Sequence, residues 1–373
     1  MRAWLAVLAG AVLTAPANAA GPAPPAWEGV WQGSIGALPV RACLQSGSSW
    51  DVGAYYYLSQ NKLIRLEHGS AGSWTEHAGV PGKPGGLWQI ERRDAGLRGT
   101  WQGGGKTLPI VLTLVALGQD DPGTCESRAF LAPRLRPVTE RRTAATINRI
   151  AVTRIDYHVA PWLKDSVSLR SFAITPRMPG DAAIKKQLRL APDTPGSEAD
   201  YRECVSANIV AQGTDGAFDL MNEPYVLRPK FLTVSQQASY FCGGAHPSFE
   251  SSWRTFDRAT GKLLNPARWF GKAGSDDGAA EGAGPLVMPT SALRRVIVRR
   301  MTFVAAECRE AVAAADYWYT GLTGTGIVFA PSLPHAATAC SDAVVVPFAA
   351  LRPYLNAAGK ADLTRLIRGH YTN

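Results

Sequence analysis

The chain has 373 residues, of which 46% are hydrophobic and 18% charged, and a formal net charge of +9. At roughly 100 to 200 residues per domain this length gives two domains, each able to bury a core. No run approaches the ~20 apolar residues that a membrane-spanning helix needs.

The first nineteen residues join a positive start at Arg2, an apolar run from Ala3 to Leu13 and the triplet Ala17-Asn18-Ala19. This is the pattern of a secretory signal cut after Ala19, so the mature protein is expected to be periplasmic or secreted. No cysteine sits at the cut to take a lipid. All six cysteines (Cys43, Cys125, Cys204, Cys242, Cys308 and Cys340) lie beyond it, and an even count in an exported chain reads as disulfides. No Cys-x-x-Cys pair is present, which removes zinc-ribbon and thioredoxin-type sites.

Residues 20–26 form a Pro- and Ala-rich linker. From Trp27, eight short alternating runs follow: Gly29 to Ile35, Leu38 to Leu44, Val52 to Leu58, Lys62 to Glu67, Ser73 to His77, Gly86 to Glu91, Leu97 to Trp101 and Leu108 to Leu117. Nearly all are bounded by Gly, Pro, Ser or Asn and none has helical periodicity, so an all-β antiparallel meander or small barrel is expected over 27–133. Cys43 and Cys125 are its two cysteines and are expected to pair. Alternation puts most of Trp27, Trp31, Trp74, Trp88, Trp101 and the Tyr55-Tyr56-Tyr57 triplet in the core, with Tyr56 pointing opposite to its neighbours. Sugar stacking on an exposed tryptophan is the alternative. His68 and His77, in two Glu-His pairs, read as surface residues on meander turns.

Residues 118–137 connect the two domains, and 134–373 read as an α+β domain. Trp27 to Pro133 holds nine basic and nine acidic residues; with Arg2 set aside with the signal, 29 basic and 21 acidic remain beyond it, a net of +8. That charge favours an anionic partner or simply a solvated surface. A helix is expected from Asp181, as its cap, with Ile184, Leu188 and Leu190 on the apolar side. A second is expected after Pro289, carrying Leu293, Ile297, Met301, Val304 and Cys308 on one face and Arg294, Arg295 and Arg299 elsewhere. Strands are expected at Tyr225 to Val234, Ala238 to Cys242, Phe249 to Phe256, Gly326 to Ala330 and Ala343 to Phe348, with a turn at 257–262 and a surface loop at 273–285. The C-terminal pairs are expected to be Cys204 with Cys242 and Cys308 with Cys340.

The most distinctive string is Tyr240-Phe241-Cys242-Gly243-Gly244-Ala245-His246-Pro247. Its glycines allow a sharp turn that presents His246. A histidine without a partnered carboxylate or serine reads first as a turn-locking residue and second as a ligand contact. His335 lies near another strand end of the same domain, but a third ligand is lacking, so no metal is expected. There is no Gly-x-Ser-x-Gly elbow and no phosphate loop, and no cofactor or nucleic acid is implied. Glycoside cleavage needs only two carboxylates, and many acidic residues are present.

Phe231-Leu232-Thr233-Val234, the 240–247 string, Thr255-Phe256-Asp257-x-x-Thr260-Gly261-Lys262, Gly326-Ile327-Val328-Phe329 and Val345-Val346-Pro347-Phe348-x-x-Leu351-Arg352-Pro353 occur in this order. Through them the chain from Phe231 onward resembles the extracytoplasmic domain shared by the lysozyme-sensing anti-sigma factor RsiV and the peptidoglycan deacetylase PdaC. The resemblance implies an α+β binding domain, with lysozyme or a cell-wall component as partner, and it does not imply catalysis. The deacetylase's metal-binding motifs and the anti-sigma factor's membrane helix are both missing. Common lysozymes are basic, as is this half, and like charge favours an anionic envelope ligand such as peptidoglycan instead. The barrel is loosely similar to small exported bacterial domains with Gly-x-Tyr-Tyr-Tyr and Leu-x-Gly-x-Trp strands, here at 53–57 and 97–101.

The function expected is a non-enzymatic exported binding protein whose contact residues are Gly243, Gly244, Ala245, His246, Pro247 and His335. An enzyme acting on cell-wall glycan is the first alternative, and an envelope structural or assembly protein the second.

Overall fold

The computed structural model describes residues 25–47, 50–70, 72–77, 85–272, 274–275, 286–303 and 305–367. The signal sequence, most of the 20–26 linker, most of the 273–285 loop and Val304 therefore lie outside the described residues.

Eight antiparallel strands close into a barrel: β1 (Gly29–Ile35), β2 (Leu38–Gln45), β3 (Val52–Tyr57), β4 (Ile64–His68), β5 (Ser73–His77), β6 (Leu87–Arg93), β7 (Gly96–Gly103) and β8 (Lys106–Val115). Closure comes from β1, which pairs with both β2 and β8. Gly33 makes that seam possible, because a Cβ there would lie 1.9 Å from the carbonyl oxygen of Val111. Trp31, Trp74 and Trp88 fill the interior at 0% exposure, while Trp27 and Trp101 are half-buried. Trp50 is the one exposed tryptophan among the described residues.

The tyrosine triplet alternates as expected. Tyr55 and Tyr57 face the barrel interior, whereas Tyr56 faces outward and is nevertheless fully buried. Its cover is the connector, where helix α1 (Arg128–Leu131) places Phe130 against it and accepts the Tyr56 hydroxyl on the Phe130 carbonyl at 2.6 Å. Burial pushes the Tyr56 phenol up to about 12, partly offset by the positive charges of Arg41 and Arg134, so it stays a donor.

Beyond the connector, β9 (Thr139–Ile147) and β10 (Ile150–His158) form a hairpin. Asn148 and Arg149 turn it, both with left-handed φ (51° and 63°). Next come β11 (Val167–Ala173), α2 (Asp181–Leu188), α3 (Tyr201–Gln212), β12 (Ala217–Leu227), β13 (Phe231–Phe241), β14 (Ser248–Asp257) and β15 (Leu263–Leu264). Their strands make one seven-stranded sheet in the order β15-β14-β13-β12-β11-β10-β9, antiparallel except for the parallel β11–β12 pair that the two helices bridge. A four-stranded sheet follows, from β16 (Leu286–Val287), β17 (Trp318–Leu322), β18 (Gly326–Pro331) and β19 (Val344–Pro347). Helices α4 (Ser291–Val298), α5 (Ala306–Ala313), α6 (Phe348–Leu351) and α7 (Ala357–Ile367) surround it.

Several expectations change. The run Tyr225 to Val234 is two strands, separated by a turn in which the Arg228 amide donates to the Phe231 carbonyl. The helix after Pro289 is two helices, α4 and α5. Met301 falls in the gap, and α5 is placed by the Cys308–Cys340 bridge and by Arg309 over Phe303, ties that periodicity cannot register. Leu190 is buried, but past the end of α2.

Asp181 is the first helical residue rather than the cap. Its carboxylate accepts the amides of Arg177 and Met178 and a two-pronged contact from Arg258 at 2.7 and 2.9 Å, with both side chains almost fully buried. Burial alone would raise this carboxyl; the Arg258 guanidinium and the two amides override it and hold it below the usual carboxylate range.

The barrel is packed onto the second half, not tethered to it. One core runs from Val30, Cys43, Ala54 and Tyr56 through Phe130 to Tyr201, Val205 and Ile209 on α3 and Leu169 and Leu220 on the sheet. Arg134 pins this junction. It is buried, donates to the Asn61 carbonyl of the barrel at 2.9 Å, and grips both oxygens of Asp215 at 2.8 Å. The three bridges are Cys43–Cys125, Cys204–Cys242 and Cys308–Cys340.

Candidate functional site

Strands β13 and β14 are each divided along their length. Phe231 to Val234 and Trp253 to Asp257 are mostly buried, whereas the opposite ends, Ser235 to Phe241 and Ser248 to Ser251, are more open. Antiparallel pairing brings like ends together. The buried ends meet the four-stranded sheet, where the Thr233 hydroxyl donates to the Leu322 carbonyl at 2.6 Å and the Leu322 amide donates to the Thr255 hydroxyl at 3.1 Å. The more open ends floor a groove.

That groove has a volume of 390 Å³. The register lines up Ser168, Asp219, Ser239 and Phe249 in one row across β11 to β14, and Arg170, Met221, Gln237 and Ser251 two residues along, hence on the same face. Thr338, in the 3-10 helix His335–Cys340, and Ser341, which follows it, form its wall. The Cys308–Cys340 bridge holds that wall to α5.

Charges of both signs reach the groove. Arg170 donates to Asp156 at 3.0 Å, which fixes its guanidinium beside Met221. Partial desolvation raises the Asp219 carboxyl above its ordinary value, against the lowering effect of the Ser168 amide. Glu250 also lines the groove and hydrogen-bonds Tyr319, and burial together with that carboxylate's charge pushes the Tyr319 phenol up.

The two histidines of the sequence reading meet at the rim. The rings of His246 and His335 stack with centroids 4.0 Å apart and planes 6° from parallel, and Phe249, 57% exposed, stands 6.2 Å from His335. His246 is exposed, and its hydrogen bond is to the neighbouring Pro247 carbonyl at 3.2 Å. The turn is held by other residues. Cys242 is bridged to Cys204 on α3, and Gly243, at φ 97°, lies so close to that helix that a Cβ would sit 2.5 Å from the Ala211 methyl. Gly244 has open space around its Cα, and Ala245 and Pro247 are exposed. Among the described residues no cluster of three or more His, Cys, Asp or Glu is placed to hold a metal ion.

The barrel histidines differ from a plain surface placement. His77 is exposed and paired with Glu67 at 2.7 Å, but His68 is half-buried, with Nδ1 2.6 Å from Asp51 and its ring against Trp27 and Trp74. Glu76 lies inside the barrel. One of its oxygens accepts from Tyr55 (2.5 Å), Trp88 (3.0 Å) and Trp101 (2.7 Å), and the other from the Gly86 amide (2.8 Å). Burial first, and then the Glu76 charge, drive the Tyr55 phenol far above its ordinary value, so it remains a donor. Tyr55, Trp88, Trp101 and the Gly86 amide are all satisfied by Glu76, which marks this cluster as structural, while the buried Trp74 Nε1 and His68 Nε2 beside it have no partner.

No family profile matches the sequence, and no curated protein matches it. Among solved structures, the chain is similar to a DUF3298 family protein from Pseudomonas aeruginosa PAO1, over 60% of this chain and 97% of that one, at 14% identity and a TM-score of 0.35. It is also similar to a DUF3298 member from Bacteroides fragilis, over 62% and 97%, at 12% identity and a TM-score of 0.36. DUF3298 proteins are the RsiV/PdaC-like kind of domain, and a likeness this weak assigns neither a ligand nor an activity.

Proposed function

We propose that the protein is a non-enzymatic exported binding protein, and that the groove over β11 to β14 receives a cell-envelope glycan. The observation that carries this reading is the pairing of an aromatic rim with a polar floor. Phe249, His335 and His246 offer ring faces, the surface on which a sugar ring stacks. Gln237, Ser239, Ser251 and Ser168 offer neutral hydrogen-bonding groups for hydroxyls, while Arg170 offers a cation for a carboxylated substituent. Three disulfides agree with work in an oxidising compartment. No helix among the described residues is long and apolar enough to cross a membrane.

A second reading rests on Asp219, which lines the groove in the same row as Ser239 and Phe249. A carboxyl raised by desolvation, as at Asp219, is the state a general acid needs for glycoside cleavage.

Retention of the mature protein on peptidoglycan, on lipopolysaccharide and on immobilised lysozyme separates these readings. The glycan reading expects retention on peptidoglycan without release of soluble sugar. Retention on lysozyme alone would replace it with protein recognition. Sugar release that disappears in Asp219→Asn would establish the enzyme, and retention on none of the three would overturn the binding reading.

A further inference from the structure

A second concavity lies on the arginine-bearing face of α4, away from the groove. It has a volume of 310 Å³ and is lined by Ser291, Arg294, Arg295, Val298, Arg299 and Ala313. Arg294 is anchored in its wall, donating to the Ala313 carbonyl at 3.2 Å and lying 4.0 Å from Asp316, a carboxylate 71% exposed. Its Nε is buried without a partner. Arg300 turns back to the Val296 carbonyl. Arg295 and Arg299 are exposed and one helical turn apart, and among the described residues no carboxylate lies within 4.0 Å of either.

Guanidinium groups crowded in this way repel one another, a cost removed by a ligand that carries negative charge to all of them. A carboxylate has two acceptor oxygens. A phosphate group presents three and up to two charges, which suits the planar forks of Arg295 and Arg299 with Arg294 behind them. Val298 and Ala313 add an apolar wall for the organic part. We propose that the α4 concavity binds the phosphate group of an organic phosphate, either a lipid headgroup or a soluble phosphate ester. This inference does not depend on the groove.

The test uses the mature chain with three probes: phosphatidylcholine vesicles, the same vesicles containing phosphatidylglycerol, and glycerol phosphate in solution. Arg295→Glu with Arg299→Glu is compared with Arg98→Glu and Lys106→Glu, an equal charge change on exposed barrel positions. Binding to phosphatidylglycerol vesicles or to glycerol phosphate is expected to weaken at least about tenfold in the α4 variant and less than about twofold in the barrel variant. A loss confined to vesicles identifies the source as a lipid headgroup, and a loss with glycerol phosphate identifies a soluble ester. Failure of the wild type to bind either anionic probe, or equal losses in both variants, would overturn the proposal. Thermal melting checks folding, and Arg295→Gln with Arg299→Gln serves if the charge reversal unfolds the protein.

Discussion

The barrel interior and the groove both combine aromatic rings with carboxylates, yet they differ in who satisfies whom. Inside the barrel, Glu76 meets Tyr55, Trp88, Trp101 and the Gly86 amide with no polar capacity directed at solvent. In the groove, Phe249 and the histidine pair are exposed and the floor of Gln, Ser, Asp and Arg faces open space. Composition alone does not separate structure from recognition here. The separation comes from whether hydrogen-bonding capacity is used up within the fold.

Substitutions on the two sides differ in their expected cost. Arg134→Ala removes the pin between the two regions and leaves the partly buried Asp215 without its cation, an expected loss of about 3 kcal/mol in urea unfolding. Glu76→Ala leaves two indole N–H groups and a phenol without an acceptor and is expected to cost about 3 kcal/mol, with Glu76→Gln costing less. Acid gives a graded version of the same effect. The Asp181 carboxyl is held below its unfolded-state value, so its contribution is complete above about pH 4 and is lost as pH falls through the lower folded-state value. Urea midpoints are therefore expected to drop on acidification, and a flat profile would show that the Arg258 pair carries no linkage. The smallest effects belong to the groove: Phe249→Ala and His246→Ala are each expected to change stability by less than about 0.5 kcal/mol. A large loss at His246 would return it to a turn-locking role.

Much of the barrel is legible in the sequence because nearly all of its runs are bounded by Gly, Pro, Ser or Asn and none has helical periodicity. The opposite facing of Tyr55 and Tyr56 follows from strand alternation alone. The hairpin β9–β10 is not legible, since Thr139 to Ile147 is largely polar and its turn uses Asn148-Arg149 in place of a glycine pair. The break between α4 and α5 carries no Gly or Pro. For the site, His246 and His335 stand out singly, but their stacking is a tertiary fact. Asp219, Ser239 and Phe249 are joined only by register across three strands. One signal was available: β13 changes midway from Phe-Leu-Thr-Val to Ser-Gln-Gln-Ala-Ser, which marks where a sheet leaves its core.

Glycan binding in the groove is tested by sedimentation of the protein with purified peptidoglycan, wild type against Phe249→Ala. The wild type is expected to co-sediment, and Phe249→Ala to stay in the supernatant while melting at the wild-type temperature. Equal co-sedimentation of the two proteins, or a supernatant that holds both, would contradict glycan binding there.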